Sequence, residues 1–340
     1  MSDSSAPART NTKTILTARP SGIPDESCFE IVEEPVAAPA AGQVVVRNEY
    51  LSVDPAMRGW VSAVANYSEP VPIGAVMRSF AAGEVVESQH PDYPVGTKVM
   101  GMLGWQQYAT VGADAIWRKV TEDDLPLSLS LGVLGLNGLT AWAGVREVLR
   151  PESGQSVVVS TAAGAVGSLV GQLCKAIGCR TVGITGSAEK VALCVDEFGF
   201  DAAVDYRSST FVDDLAAALP DGVDRYFDNT AGSITDAVLE HLNTHAAMVV
   251  CGTASISSWD PWPTGPRIER RILTTRARVE GLLAFDFMDR LQEAVADLAG
   301  MVRAGELTYR EDVLEGMSSA PGAIAGLYRG ENLGRRVIRL

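Results

Sequence analysis

The stretch Val157–Ser168, reading V-V-V-S-T-A-A-G-A-V-G-S, narrows the possible folds more than any other in the chain. Val157, Val158 and Val159 form a β-branched run of the kind that is buried on both faces of a parallel sheet. A turn of small residues follows, and the apolar spacing predicts a helix from about Val166 to Ile177. The turn matches the dinucleotide fingerprint G-x-G-x-x-G with one departure: Ala162 stands at the first glycine, while Gly164 and Gly167 keep their places. Gly164 would let the backbone approach a pyrophosphate, and Gly167 would let the helix close on the strand. The helix N-terminus then offers free N–H groups and partial positive charge to phosphates. Taken alone, the turn also fits an ordinary strand-to-helix connection, so its context matters.

The next unit supplies that context. Arg180–Thr185 reads as a second strand, ending about twenty residues past the turn, where NAD-selective folds place an acid for the adenosine ribose. No Asp or Glu stands there. Gly186 and Ser187 follow instead, then Lys190, with Tyr206 and Arg207 after a third strand. A cation among small donors suits a ribose phosphate better than a bare diol, so the cofactor expected is NADP. The alternative for Lys190 is a solvated helix residue.

At 340 residues the chain exceeds the usual size of one domain, and two are expected. Its 46% hydrophobic and 21% charged residues are those of a soluble globular protein, with no apolar run long enough to span a bilayer. A net charge of −14 argues against nucleic acid or a membrane as partner, since both demand a basic face. Five cysteines (Cys28, Cys174, Cys179, Cys194, Cys251) form no C-x-x-C pair and no disulfide framework. They suit a reducing cytoplasm. With three histidines and no ligand spacing for zinc, no metal is expected.

Residues 1–13, rich in Ser, Ala and Pro, read as a disordered tail. From Thr14 short β-branched runs (Gln43–Glu49, Gly83–Glu87, Lys98–Leu103, Trp105–Val111) alternate with Gly and Pro, predicting a partly barrel-like β domain. A connecting helix leads from Asp123–Leu131 into Gly135–Ala143. From Ser156 strands and helices alternate, which gives an α/β doubly wound parallel sheet with ligand at the strands' carboxyl ends. Tyr309–Leu314 and Arg335–Leu340 turn β-rich again. The domains expected are therefore 14–128 with 305–340, β-rich and substrate-binding, and 129–304, a Rossmann domain for NADP. Ser255–Arg271, with three prolines and two tryptophans, reads as a long binding loop or lid.

Read together, Tyr50–Gly59 (Y-L-S-V-D-P-A-M-R-G), Gly135–Trp142, Ala162–Ser168 and Gly330–Gly334 (G-E-N-L-G) make the chain resemble the zinc-independent medium-chain dehydrogenases/reductases. The branch is that of prostaglandin, alkenal double-bond and curcumin reductases. The resemblance implies a GroES-like β domain beside the Rossmann domain. It also implies a homodimer that uses NADPH to reduce the carbon–carbon double bond of α,β-unsaturated ketones and aldehydes. Carried over by residue, the phosphate loop is Ala163, Gly164, Ala165 and Val166, and the adenosine-phosphate grip is Gly186, Ser187, Lys190 and Tyr206. Asn229, Cys251, Gly252 and Ser255 fall on the nicotinamide side, Asn137 and Thr140 beside them, and Asn332 is the C-terminal cofactor contact. Met57, Arg58 and Tyr67 fall near the reacting ligand or cofactor. Blander roles stay open: Tyr206 capping a strand, Arg58 holding Asp54, Cys251 packing in the core.

Two departures from the family stand out. Ala56 replaces the usual Tyr of the D-P-Y-M-R stretch, and Ser257 or its neighbour stands where the family has a Tyr at the substrate carbonyl. Trp60, Trp259 and Trp262 are candidates to re-wall the site. Reducing an enone at its β-carbon places charge on the carbonyl oxygen, which needs a donor. The Tyr67 hydroxyl and the cofactor ribose hydroxyl are expected to hold that charge, and water or Tyr67 to return the proton, with Arg58 the second catalytic candidate. The rival readings are a quinone or carbonyl reductase on the same scaffold and a non-catalytic NADPH-binding protein.

Overall fold

The computed structural model describes residues 9–63, 68–256 and 261–340. Tyr67, Ser257 and Trp259 lie outside these. Two compact units emerge, Met1–Leu131 with Asp312–Asn332 and Arg336–Leu340, and Gly132–Glu311 with Leu333–Arg335.

The first unit opens with β1 (Thr10–Leu16), paired antiparallel with β2 (Phe29–Pro35). β1 begins inside the stretch expected to be a tail. Its inward positions include Asn11 and Thr14, which hydropathy does not reveal as core. Both are satisfied: Asn11 bonds the Gln106 side chain and the Tyr108 N–H, and the Thr14 hydroxyl meets the Met317 sulfur. The unit's main sheet uses β3 (Gln43–Ser52), β4 (Ala81–Ser88), β5 (Lys98–Gly101), β6 (Tyr108–Gly112) and β7 (Ile116–Lys119). β3 is long enough to pair β4 along one edge while β6 takes the first half of the other. A short helix, α1 (Met57–Trp60), follows β3.

In the second unit α2 (Leu136–Ala143) leads to β8 (Ser156–Ser160), α3 (Gly167–Ile177), β9 (Arg180–Thr185), α4 (Ala188–Ala192) and β10 (Ala202–Asp205). Then come α5 (Phe211–Ala218), β11 (Val223–Asp228), α6 (Gly232–Leu239), β12 (Leu242–Val250), α7 (Glu269–Thr275), β13 (Arg278–Gly281) and α8 (Leu291–Ala304). The strands form one six-stranded sheet in the order β10-β9-β8-β11-β12-β13, parallel at every pairing. Val158, Val182, Ile184 and Tyr226 pack one face of it under Leu215 of α5 and Val238 of α6. This is the doubly wound α/β sheet that the alternation predicted.

The chain closes with β14 (Glu311–Glu315), α9 (Ala320–Arg329) and β15 (Arg335–Arg339), which extend the first unit's sheet to the order β14-β15-β3-β4-β5-β7. β15 takes the second half of the β3 edge that β6 leaves. Among the described residues the ladder stays open, a β domain without a closed barrel. Residues 305–311, expected with the β-rich part, pack with the second unit instead. There the Gln172 amide on α3 bonds both the N–H and the C=O of Thr308.

Candidate functional site

In a doubly wound sheet the crossovers leave in opposite directions from one strand pair, and a crevice opens at the carboxyl ends there. Here that pair is β8 and β11, because β9 and β10 lie on one side of β8 while β12 and β13 lie beyond β11.

The turn after β8 explains how Ala162 can replace the first glycine. The left-handed backbone falls on Thr161, at φ 54°, so position 162 needs no glycine for the bend. Ala162 is buried with its methyl toward β9, where Gly183 supplies the room: a Cβ on Gly183 would sit 2.8 Å from it. Gly167 is indispensable, since a Cβ there would lie 2.3 Å from the Thr161 carbonyl oxygen. Ala163 and Gly164 also carry a strap. The Gly334 N–H donates to the Ala163 carbonyl at 3.2 Å, and Gly164 and Gly334 form an isolated parallel bridge.

At the ends of β9 and β10, Gly186, Ser187, Lys190 and Tyr206 come together. The Ser187 hydroxyl caps α4 by accepting the Lys190 N–H at 3.3 Å. Tyr206 hangs from the Thr185 carbonyl through its N–H at 2.9 Å, and its ring packs over Gly186, whose Cβ would lie 2.8 Å away. The Arg207 guanidinium stacks on that ring at 5.6 Å. Asp205, the acid at the end of β10, accepts the Arg207 N–H. Lys190 opposes the burial that pushes the neighbouring Cys194 thiol up to about 12.

Across the crevice, Asn229, Cys251, Gly252 and Ser255 form one hydrogen-bonded rim. The N–H groups of Cys251 and Gly252 both donate to the Asp228 carbonyl, at 2.8 and 3.1 Å. The Ser255 hydroxyl donates to the carbonyls of Thr230 and Ala231. Asn229 reaches back to β8, its side-chain amide on the Ser160 carbonyl at 2.7 Å. The half-buried Cys251 has its thiol pushed up to about 12 by burial, with the nearby Asp228 charge acting in the same direction, so it stays neutral at ordinary pH. On α2, the Thr140 hydroxyl donates to the Leu136 carbonyl at 2.7 Å, while the buried Asn137 Oδ1 has no hydrogen-bond partner among the described residues.

The first unit holds the other positions. Met57 is fully buried on α1. Arg58 stands 5.3 Å over the ring of Tyr328, a residue of α9, and the Tyr328 hydroxyl donates to the Pro55 carbonyl at 3.0 Å. Burial holds the Tyr328 phenol above its ordinary range against the opposing pull of Arg58. Asp54, offered above as a partner for Arg58, accepts the Ser52 hydroxyl. Asn332 is buried in the segment after α9. Sequence reasoning missed Thr161, Asp228 and Tyr328. For Asp228 a signal existed, an acid closing an apolar strand at the switch pair.

The fold and these strand-end turns define a nucleotide-linked oxidoreductase architecture. Residues 12–119 match the family model described as the N-terminal domain of oxidoreductase, and 165–299 the model described as zinc-binding dehydrogenase. Among the described residues no group of three or more His, Cys, Asp or Glu could hold a metal ion. The chain is 40% identical over 335 residues to the NADPH-dependent curcumin reductase of Escherichia coli, covering 97% of each chain. It is 38% identical to the NADP(+)-dependent 2-alkenal reductase of Nicotiana tabacum, covering 96% of this chain and 97% of the relative. The crystal structure of CurA from Vibrio vulnificus in complex with NADPH superposes with a TM-score of 0.91 at 36% identity, covering 96% of this chain and 98% of that one. The chain belongs to the medium-chain dehydrogenase/reductase family, in the branch of curcumin, alkenal and prostaglandin reductases.

The strap yields a prediction. Gly334 has φ 80°, and a Cβ there would lie 2.2 Å from the Arg310 carbonyl oxygen. Gly334→Ala should therefore lower unfolding stability by about 1–3 kcal/mol. Denaturant melts read that loss, and hydrogen exchange should speed up across 163–168. An unchanged midpoint with an unchanged exchange pattern would contradict the strap.

Proposed function

We infer that this chain is an NADPH-dependent reductase acting on the carbon–carbon double bond of α,β-unsaturated ketones or aldehydes. The observation that carries this reading is the end of β9. There a β-strand that could place an acid for a ribose diol is instead followed by Gly186, under the Tyr206 ring, and by Ser187 and Lys190 at the start of α4. Small donors with a cation fit a 2′-phosphate. The full-length likeness to an NADPH-dependent curcumin reductase supports the same conclusion. In this reading the second unit, Gly132–Glu311 with Leu333–Arg335, binds the nucleotide and the β-rich first unit serves the substrate.

Ala163, Gly164, Ala165 and Val166 would take the pyrophosphate at the N-terminus of α3, with Asn332 as a further contact. Asn229, Cys251, Gly252 and Ser255, with Asn137 and Thr140, would frame the nicotinamide end. When bound, NADPH supplies the hydride that adds to the β-carbon. The chain's own task is to hold the negative charge that develops on the carbonyl oxygen and to return a proton to the α-carbon. We assign the first to Tyr67 and Arg58, and the second to Tyr67 or water. The donor set argues for chemistry without zinc, since four of the five cysteines are buried and no C-x-x-C pair exists. Five free thiols also suit a cytoplasmic setting.

The reading is tested by incubating the protein with NADPH and a panel of enones, enals and quinones, read by mass spectrometry. Saturated ketones are the expected product; allylic alcohols or hydroquinones would move the assignment to carbonyl or quinone reduction. Tight NADPH binding without turnover would make the protein a non-catalytic binder. In the same panel Tyr67→Phe should slow enone turnover by about ten-fold or more, and an unchanged rate would remove Tyr67 from the chemistry.

Lys190→Ala should cut the preference for NADPH over NADH by about ten-fold, mostly through the KM for NADPH. A preference that survives this substitution would assign the phosphate grip to other residues.

We also infer a homodimer. β13 is an edge strand exposed along its whole length, Val279 included, with Leu283 and Phe285 exposed just after it and Leu273 76% exposed on α7. Native proteins cover such edges. Sedimentation should therefore give about twice the 36.0 kDa chain mass, and a monomer at micromolar concentration would refute this.

A further inference from the structure

Asp228 closes β11 at the crevice and is 0% exposed. A buried carboxylate is tolerated only where donors surround it. This one is surrounded. Its Oδ1 accepts the hydroxyls of Ser160 (3.2 Å), Tyr226 (3.0 Å) and Thr230 (3.1 Å) and the backbone N–H groups of Thr230 (2.8 Å) and Ala231 (2.9 Å). Its Oδ2 accepts the Thr235 hydroxyl at 2.6 Å. These donors come from the end of β8, from β11 itself, from the turn that follows, and from the first turns of α6.

Two features show that the cluster does more than satisfy a core. The Ser160 hydroxyl, while donating to Asp228, accepts the Asn229 N–H at 2.8 Å, so the two sides of the crevice are joined through it. Ala231, whose N–H the carboxylate holds, adopts φ 58° and ψ −164°, a conformation that costs a non-glycine residue strain. Strain of this kind persists only where neighbours over-determine it. Here the carboxylate grips the N–H of Ala231 and the Ser255 hydroxyl grips its C=O. The rim formed by Asn229, Cys251, Gly252 and Ser255 is thus hung from one residue, by its side chain on the turn and by its backbone carbonyl on the loop after β12.

We propose that Asp228 is a positioning residue for the cofactor's nicotinamide end: its carboxylate fixes the 229–232 turn and, through it, the 251–255 loop. It touches neither cofactor nor substrate in this scheme. The inference rests on the NADPH reading above, and its test has a readout that does not need the cofactor.

Asp228→Asn keeps the shape but turns an N–H₂ group toward hydroxyl and backbone donors. The expected result is a rise of about ten-fold in the KM and dissociation constant for NADPH, with kcat at saturating NADPH within about three-fold of the wild type. Without cofactor, iodoacetamide should label Cys251 at least about five-fold faster in the variant, read by peptide mass spectrometry, because the loop opens and the neighbouring charge is lost. Should Asp228→Asn fail to fold, Thr235→Val removes the shortest bond to the carboxylate, together with the 3.3 Å contact to the Tyr226 hydroxyl, and should move both readouts in the same direction, while Thr235→Ser restores the wild-type values. Wild-type NADPH affinity and wild-type Cys251 labelling in Asp228→Asn would overturn the proposal, as would a lowered kcat at unchanged KM, or Thr235→Val and Thr235→Ser behaving alike. If the wild type itself fails to bind NADPH, the functional reading falls while the labelling comparison still judges the role of Asp228 in the loop.

Discussion

The reversal of crossover direction at the paired strands β8 and β11 is the constraint from which the rest of the second unit follows. A parallel strand must be followed by a crossover, and crossovers that leave in opposite directions cannot both cover the gap above a shared strand pair. Backbone N–H groups at the head of α3 and the turns after β9, β10, β11 and β12 therefore end around one opening. Unpaired backbone groups in such a place are tolerated because they face solvent or a ligand. Ser160 and Asp228 bridge the gap below the opening by one hydrogen bond, so it widens only above them.

The two rims are built by different physics. On the β8–β10 side the architecture is steric: the missing side chains of Gly167 and Gly183 allow α3 and β9 to crowd the turn, and left-handed Thr161 makes the bend. On the β11–β12 side it is electrostatic, a carboxylate out of contact with water ringed by hydroxyls and N–H groups. Sterics suit the pyrophosphate end, where a backbone must come close. A hydrogen-bonded cluster suits a ring that must be held at one height and one tilt.

Much of this was legible in the sequence wherever burial and periodicity coincide. The three valines of β8, the alternation from Ser156 onward and the acid-free end of β9 are local signals, and the parallel sheet with its nucleotide-side turns follows from them. What was not legible depends on contacts between distant residues. β1 escaped notice because two of its inward residues are Asn11 and Thr14, whose partners lie at 106, 108 and 317. β12 starts at Leu242, ahead of its apolar run Ala246–Val250, and His245 at φ 66° interrupts its pattern. The helix begun by α4 widens after Ala192, and α8 is preceded by a separate tighter turn before Leu291; alternation alone signals neither. Helix α9, in a stretch read only as β-rich, has Pro321 in its first turn, where a missing N–H costs nothing. Asp228 reads in the sequence as the end of a strand; its role depends on Ser160, which is 68 residues away.

The replacement of the fingerprint's first glycine shows why a motif is better read as a set of physical requirements than as letters. A tight strand-to-helix turn requires one residue at positive φ, room for the helix to close, and small groups facing the next strand. Here Thr161 meets the first requirement, Gly167 the second, and Gly183 across the sheet the third. The threonine that bends the turn is a β-branched residue in a left-handed conformation, and so a strained one. Its carbonyl receives the Gly164 N–H at 2.9 Å, and the same oxygen leaves no room for a side chain at Gly167. The strain is thus held in place by the closeness that the remaining glycines permit, and these two glycines cannot be exchanged as Ala162 was.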